Sequence, residues 1–460
     1  MQWTRREFLM GCSAAIAAMA AARIGQLAFA EPAQPQATNE IFVQIFLRGG
    51  CDGLSLLSPY DDSYYRTARG TLALPLSGPN APLRIDTYNP SYNTSSFGLN
   101  SKMPHLRDLY NSGHLAFIHA CGLDDDTRSH FDAMDYIERG TPGNKTTSSG
   151  WLTRHLQSQG GTSNLLPAVA ANSATPASLL NYAAAVAMTS PSNFNISTHW
   201  RYNRASENYP FLTTLREMYH RSAINPLAPA GRRVMQVINL MQGMGAYTPA
   251  PGISYPSGWP GGSFGDALKT VAQLIKAEIG LQVATIDFGG WDTHESQANN
   301  DGSGYLPDRL GVLSQGLYAF YNDLAAYHSR LTIVVLSEFG RRLGRNQSNG
   351  TDHGHGNVMM VLGGNVNGRK IYGTWPGLHP DQLDKRQDLQ ITTDFRQVLS
   401  EILIRRLGNP RLGIIFPGLG SYTPLGIVRG ADLPPNLSTS EANLANADYQ
   451  VFVPVIQQCR

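Results

Sequence analysis

The sequence predicts an α/β fold with a largely parallel central β-sheet. Short apolar segments with strand character alternate along the chain with longer segments whose apolar residues recur at helical spacing. This alternation is typical of parallel strands joined by helical crossovers. With 460 residues, 42% of them hydrophobic, the chain can bury a large core. No internal repeat and no linker is evident, so we expect one large domain after the N-terminal segment.

The strands and helices of this fold can be placed in order. We expect strands where apolar runs are bounded by turn residues, at 41–47, 115–120, 281–288, 331–337 and 358–362. We expect helices where the periodicity is helical, at 103–110, 127–139, 151–157, 205–245, 263–278, 307–328 and 391–406. A Gly-Thr-Pro stop follows the second helix, and Pro307 suits the first turn of another. The domain spans 31–460, with insertions expected near 58–100 and 150–265.

The first thirty residues have the layout of an export signal. Arg5 and Arg6 precede Phe-Leu, an Ala-rich apolar stretch follows, and the segment closes with the cleavage pattern Ala-Phe-Ala. The paired arginines resemble the twin-arginine (Tat) signal. We therefore expect residues 1–30 to be removed, the Tat translocase to be a partner during export, and the mature protein to be periplasmic or secreted. An amphipathic N-terminal helix is the alternative.

The composition of the mature chain argues against several functions. The full chain has 36 basic and 34 acidic residues, and loss of three arginines and one glutamate with the signal leaves 33 of each. A net charge of zero does not favour nucleic acid as a partner. No later apolar run approaches the roughly 18 residues that a membrane span needs, so we expect no span after cleavage. Of the three remaining cysteines, Cys51 and Cys121 either form one disulfide or are buried free thiols.

Polar clusters follow the first two predicted strands, at the carboxyl ends where open α/β sheets form their sites. In the first, the glycines around Asp52 allow a tight turn from which its carboxylate projects, although an ordinary Asp-Gly turn explains it as well. In the second, Arg128 and Ser129 stand where a helix begins. A helix N-terminus favours negative charge, so Ser129 is a candidate nucleophile, or else it is only a helix cap.

Two later clusters have the residue types of metal sites. Asp287 lies near the end of the strand at 281–288, and Asp292 and His294 follow it; carboxylate with imidazole suits zinc or manganese better than calcium. The segment Ser-Glu-Phe-Gly-Arg contains Glu338 and Arg341. The segment Asp-His-Gly-His-Gly then offers the imidazoles of His353 and His355 on a flexible backbone. Read jointly, these clusters predict a site for two divalent metal ions.

The motif set resembles that of the bacterial DUF1501 family over essentially the whole mature chain. It consists of Arg-Gly-Gly-x-Asp-Gly-Leu, Gly-Gly-Trp-Asp-Thr-His, Ser-Glu-Phe-Gly-Arg and Asp-His-Gly-His-Gly behind a Tat signal. That family is similar to the alkaline phosphatase/sulfatase superfamily. The resemblance implies a three-layer α/β/α sandwich and a site for two divalent metals, with ligands and nucleophile at Asp52, Ser129, Asp287, Asp292, His294, Glu338 and His353 or His355.

The resemblance implies a metal-dependent hydrolase of a phosphate or sulfate ester. Ser129 is the expected nucleophile, and Arg128 or Arg341 is expected to hold the ester oxygens. The sulfatase signature Cys-x-Pro-x-Arg is missing, so we expect no formylglycine chemistry. Phe339 stands where the superfamily usually has a metal-binding histidine. It favours the alternatives, which are a non-catalytic binding or assembly protein on a degenerate scaffold and a purely structural metal site.

Overall fold

The computed structural model describes residues 40–85, 96–160, 164–194, 205–221 and 227–439. The export signal expected at 1–30 and Cys459 lie outside these residues. Within them, Cys51 and Cys121 are buried free thiols. No helix of the described part combines the length and the apolar composition that a membrane crossing requires.

The described residues form a nine-stranded central sheet and a small three-stranded sheet. The strand order of the central sheet is β11-β5-β10-β9-β1-β8-β6-β7, with β12 paired to β5, and the small sheet has the order β2-β4-β3. The bounds are β1 (Ile41–Leu47), β2 (Leu57–Ser58), β3 (Leu83–Arg84), β4 (Gly98–Leu99), β5 (Leu115–Gly122), β6 (Ala168–Ala170), β7 (Ala185–Ala187), β8 (Val283–Phe288), β9 (Leu331–Leu336), β10 (Asn357–Gly363), β11 (Lys370–Tyr372) and β12 (Thr393–Asp394).

The sheet is mostly parallel, as the sequence predicts. β1 pairs in parallel with β8 and with β9, and β8 continues in parallel to β6 and β7. β10 is antiparallel to both β9 and β5. Because two antiparallel steps restore the direction, β5 runs the same way as β1. The carboxyl ends of β1, β5, β8 and β9 therefore lie at one edge, where the amino end of β10 also lies.

Helices precede, separate and follow these strands. They are α1 (Gly53–Leu56), α2 (Ser63–Arg69), α3 (Pro104–Asn111), α4 (His130–Arg139), α5 (Trp151–Ser158), α6 (Ala205–Arg221), α7 (Leu227–Gly243), α8 (Gly262–Lys276), α9 (Tyr305–Asp323), α10 (Phe395–Arg405) and α11 (Leu412–Ile415). The segment 150–265, expected to hold insertions, contributes the strands β6 and β7 to the central sheet.

Two apolar cores make the molecule a three-layer α/β/α sandwich. Alternate side chains of β1 point to opposite faces, so Val43 and Ile45 lie in one core and Phe42 and Phe46 in the other. The first core takes most of its helical residues from α3, α7, α8 and α9. The second takes them from α4, α5, α10 and α11. The fold class predicted from the sequence is thus confirmed. The helices cover the two faces of the sheet, and loops follow the carboxyl ends of β1, β5, β8 and β9.

Candidate metal centre

Three imidazoles converge on one carboxylate oxygen at this sheet edge. The Nε2 atoms of His294, His353 and His130 lie 3.0, 3.2 and 3.4 Å from Oδ1 of Asp292. The Nε2 atoms of His294 and His353 are 2.8 Å apart. His130 begins α4 after β5, Asp292 and His294 follow β8, and His353 precedes β10. Three segments that are distant in sequence therefore deliver one group of metal-type donors.

The second nitrogen of each ring is held by an oxygen outside this group. Nδ1 of His353 lies 2.8 Å from the carbonyl oxygen of Arg128, which can only accept a hydrogen bond. Nδ1 of His130 lies 2.7 Å from Oε1 of Glu338, and Nδ1 of His294 lies 3.4 Å from Oδ1 of Asp352. With the proton on Nδ1, each Nε2 presents a lone pair to the group. This is the arrangement by which proteins orient histidine ligands of metals.

The group fits a divalent cation. Nε2 of His130 is buried and makes no hydrogen bond to any residue that the structure describes. Lone pairs on several Nε2 atoms that face one carboxylate oxygen repel one another unless a cation lies between them. The ligand atoms of His130, Asp292 and His353 all lie within 4.8 Å of one another, and His294 adds an imidazole through its contacts with Asp292 and His353. Imidazoles with one carboxylate are donors that zinc prefers, and manganese also accepts them. The side chains of Asp292 and His294 are 48% and 43% exposed, so solvent reaches the group.

Charges around the group favour the ionised carboxylate. Burial raises the pKa of Asp292, but the hydrogen bond and charge of Arg341, with help from His353 and His130, lower it to about 2. The hydrogen bond to Glu338 raises the pKa of His130. Burial lowers the pKa of His353, which favours its neutral, metal-binding form. The carboxylate of Asp292 is thus ionised over the physiological pH range.

Arg341 and Glu338 hold the loops that carry the donors. The buried guanidinium of Arg341 donates to the carbonyl oxygens of Gly49, Gly50 and Thr351 and, at 2.6 Å, to Oδ1 of Asp292. The fully buried carboxylate of Glu338 accepts from His130, from the Gly49 backbone N–H at 2.8 Å and from the Ser337 hydroxyl at 2.9 Å. Both side chains therefore act through their neighbours.

Glycine lets two of these loops come close together. Gly49 has a φ of +120°, and a Cβ placed on it would lie 2.7 Å from the backbone nitrogen of Asp292. A Cβ on Gly354 would lie 2.4 Å from the carbonyl carbon of Arg341. Close backbone approach therefore explains the glycines in the Arg-Gly-Gly and Asp-His-Gly-His-Gly motifs.

The structure places Asp52 in a separate, fully buried ion pair. Both of its oxygens bind the guanidinium of Arg69, with Arg69 NH2 at 2.9 Å from Oδ1. Ser55 and Gln297 each donate to Oδ2 at 2.7 Å. Burial raises the pKa of Asp52, but the charge and hydrogen bonds of Arg69 dominate and lower it. Both oxygens of the carboxylate are therefore occupied by Arg69, Ser55 and Gln297, and they do not belong to the histidine group.

Asp287 also lies in an ion-pair network of its own. Its Oδ2 is 2.8 Å from Nε of Arg48 and 2.7 Å from the amide nitrogen of Asn172. Arg48 in turn binds Glu138 of α4 at 2.8 Å. This network joins β1, β8 and α4, and so it helps to fix the helix that begins with His130.

Ser129 is the N-cap of α4, directly before His130. Its Oγ accepts a hydrogen bond of 3.4 Å from the backbone N–H of Asp132. Gly140 ends the helix in the left-handed conformation, with a φ of +68°. Arg128 binds the carboxylates of Asp384 and Asp388 through its guanidinium. Ser129 is thus adjacent to a residue of the donor group, whereas the guanidinium of Arg128 is occupied by two carboxylates.

Of the other residues that the sequence analysis singled out, His355 lies outside the donor group and Phe339 lies against it. His355 belongs to a second group of possible ligands, with Asp126 and Asp384. Phe339 packs its ring 4.8 Å from the rings of both His130 and His353, and so forms an apolar wall of the centre.

His130 is the ligand candidate that sequence reasoning missed. The sequence indicated a nucleophile at Ser129, and the next residue in the same cluster is the histidine that points into the centre. The signal was its position at the predicted start of a helix after β5, on the same sheet edge as the other clusters.

Comparisons with known proteins place these residues in a family. The family model described as "Protein of unknown function (DUF1501)" matches residues 122–401, which include every residue of the donor group. No curated protein matches the chain.

The chain is similar to several solved structures, including a periplasmic domain and a sulfatase. The C-terminal periplasmic domain of EcEptC from Escherichia coli, in complex with Zn, has 9% identity, a TM-score of 0.32 and coverage of 73% of this chain and 77% of that one. PsFucS1 sulfatase from Pseudoalteromonas sp. has 12% identity, a TM-score of 0.33 and coverage of 85% and 73%. Neither likeness is close enough to inform the chemistry of this chain.

Proposed function

We propose that this chain, which belongs to the DUF1501 family, is a metal-dependent hydrolase of a phosphate or sulfate ester. The observation that carries the proposal is the convergence of the three Nε2 atoms on Asp292, each with its Nδ1 held from outside. His130, Asp292, His294 and His353 would hold one divalent ion, with zinc or manganese preferred to calcium. Bound there, such an ion supplies Lewis-acid stabilisation of negative charge on ester oxygens.

The chain's own nucleophile in this proposal is Ser129. Its hydroxyl lies at the N-terminus of the ten-residue helix α4, next to His130, and the positive end of a helix stabilises an attacking oxygen and an anionic ester. Oγ forms a bond to phosphorus or sulfur, the ester oxygen leaves, and the serine proton ends on the departing alcohol. Water then cleaves the serine ester, which releases phosphate or sulfate and restores the hydroxyl.

In this proposal, backbone N–H groups rather than arginine side chains bind the ester oxygens. The guanidinium groups of Arg128 and Arg341, expected to hold ester oxygens, already bind acceptors within the protein. The first backbone N–H groups of α4 have no partner within the helix and point toward its N-terminal side. They can donate to an anion seated beside Ser129.

The direct experiment is hydrolysis of p-nitrophenyl phosphate and p-nitrophenyl sulfate by the mature chain loaded with zinc or manganese. The proposal expects turnover of one of them by the parent and loss of turnover in Asp292→Ala. Asp266→Asn is the matched control, since it removes an exposed carboxylate that pairs with Lys269 and lies outside the donor group. Metal-loaded parent without turnover of either ester would contradict the proposal.

Export to the periplasm or beyond is the second part of the proposal. Its support is the Arg5-Arg6 pair, the apolar stretch and the cleavage pattern in the sequence. Replacing both arginines by lysine should retain the precursor in the cytoplasm. Cell fractionation with an antibody to the mature chain measures this, and unchanged export of the double variant would exclude the Tat route.

A non-catalytic metal-dependent binding or assembly protein is the second candidate. One observation favours it: Arg128 and Arg341 were expected to hold the ester oxygens, but both guanidinium groups already bind acceptors within the protein. It is also favoured by the cap role of Ser129 Oγ. This candidate predicts a tightly bound ion, a fold that depends on it, and no ester hydrolysis.

A further inference from the structure

We propose that Asp126, His355 and Asp384 form a second divalent-cation site, separate from the catalytic centre proposed above. The ligand atoms of these three residues lie within 4.8 Å of one another. They share no residue with the group around Asp292. The inference concerns a different donor set and goes beyond the one-ion hydrolase.

The orientation of His355 is the first argument. Its Nε2 lies 3.1 Å from the backbone carbonyl oxygen of Asp125, which can only accept, so Nε2 carries the proton. Nδ1 is then left with a lone pair. The imidazole is only 14% exposed, so the surrounding residues restrict rotation of the ring away from this orientation.

The contact that this orientation creates is the second argument. Nδ1 of His355 lies 3.3 Å from Oδ2 of Asp384. The nitrogen is buried and has no hydrogen-bond partner among the residues that the structure describes. A nitrogen lone pair that faces a carboxylate oxygen is repulsive, and a cation between the two atoms removes the repulsion. The third donor, Asp126, completes a set of one imidazole and two carboxylates, which suits manganese or zinc with water at open positions.

Present partners of the carboxylates do not prevent binding. Nζ of Lys385 lies 2.8 Å from Oδ2 of Asp126, and both side chains are more than half exposed, so the lysine can swing away. Nη2 of Arg128 lies 3.2 Å from Oδ2 of Asp384, but a carboxylate oxygen has two lone pairs, so Oδ2 can still bind an ion. The second ion would tie the segment before α4, which carries His130, to the loop 384–388. Its role is therefore structural support of the catalytic centre.

Titration of the mature chain with Mn²⁺, followed by the EPR signal of the free ion, tests the proposal. The parent should bind two ions, and His355→Gln and Asp384→Asn should each bind one. His379→Gln is the control, because His379 is half exposed and its neighbour is Asp381, and it should still bind two. Circular dichroism identifies any variant that fails to fold, and the stoichiometry of the parent alone then decides.

The outcomes separate this site from the proposed catalytic centre. A parent that binds a single ion, or a folded His355→Gln that still binds two, would overturn the second site. If Asp292→Ala binds two ions while His355→Gln binds one, the catalytic centre fails and the second site stands. If each variant loses one ion, both sites stand.

Discussion

His294 and His353 face each other with their Nε2 atoms 2.8 Å apart. Nδ1 of His353 is fixed at 2.8 Å from the carbonyl oxygen of Arg128, so the contact brings a lone pair of His353 against the other ring. Such a contact is stable when His294 donates a hydrogen bond to His353 or when both nitrogens bind one ion. It joins the loop after β8 to the loop before β10.

Glu338 should control metal affinity through His130. Glu338→Gln keeps the shape of the side chain but replaces the carboxylate that holds Nδ1 of His130, and loss of such an outer partner weakens metal binding by about 10- to 100-fold. Competition with a zinc chelator measures the affinity. The matched control is Glu401→Gln, a buried carboxylate of α10 that binds Arg405 and the backbone at 425–428 instead. Equal zinc affinity of Glu338→Gln and the parent would exclude this role.

Ser129 variants should separate the cap from the nucleophile. Ser129→Asn keeps a good N-cap, so its unfolding free energy should match the parent, whereas Ser129→Ala should lose about 1 kcal/mol. Both should lower kcat of ester hydrolysis by at least about a hundredfold, because neither has a hydroxyl. Chemical denaturation and steady-state kinetics are the two measurements. A Ser129→Asn variant with parental kcat would reduce Ser129 to a helix cap.

Arg341 should behave as a structural residue. Its buried guanidinium binds the backbone of three loops and Asp292, and a buried acceptor that is left without its donor costs about 1–3 kcal/mol. Arg341→Met should therefore lower the free energy of unfolding by this amount, as measured in guanidinium chloride. Arg345→Met, at an exposed position four residues on, should change it little. Parental stability of Arg341→Met with reduced ester binding would instead indicate a role toward substrate.

Acid should destabilise the fold through His119. Burial lowers the pKa of this histidine to about 4, against about 6.5 in an unfolded chain. Since the folded pKa is the lower one, the stability is complete above pH 6.5 and is lost as the pH falls toward 4. The loss is about 3 kcal/mol by proton linkage.

His119→Gln provides the comparison for this pH dependence. The glutamine amide can replace the contact of Nε2 with the carbonyl oxygen of Leu57, but it does not titrate. Denaturation curves between pH 7 and pH 4 should fall less steeply for this variant than for the parent and for His379→Gln. Equal pH dependence in all three proteins would rule out His119 as the source.

The sequence was most informative where apolar periodicity and motif position agree. The strand predicted at 41–47 is β1 without change, and the five predicted strands are all strands of the central sheet. Parallel strands place their carboxyl ends together, so clusters after three different strands could be expected to meet. Asp292, His294 and His353 do meet, because each lies in a loop at that edge.

The ion pair between Asp52 and Arg69 could not be predicted from the sequence. Arg69 ends α2, in the irregular region near 58–100 where no periodicity was evident. Burial of a carboxylate against an arginine depends on how that region folds back, which residue spacing does not specify. Similarly, the side chain of Asp287 meets Arg48 and Asn172 because of neighbouring strands, and α4 turns His130 rather than Arg128 toward the centre.

The central claim is that His130, Asp292, His294 and His353 bind one divalent ion. The most direct measurement is zinc stoichiometry and affinity of the mature chain by elemental mass spectrometry and chelator competition, with His130→Asn and Asp292→Ala beside the parent. The account predicts that each variant binds one ion fewer than the parent, or binds it at least about tenfold more weakly. A folded parent without metal, or a His130→Asn variant with parental stoichiometry and affinity, would contradict it.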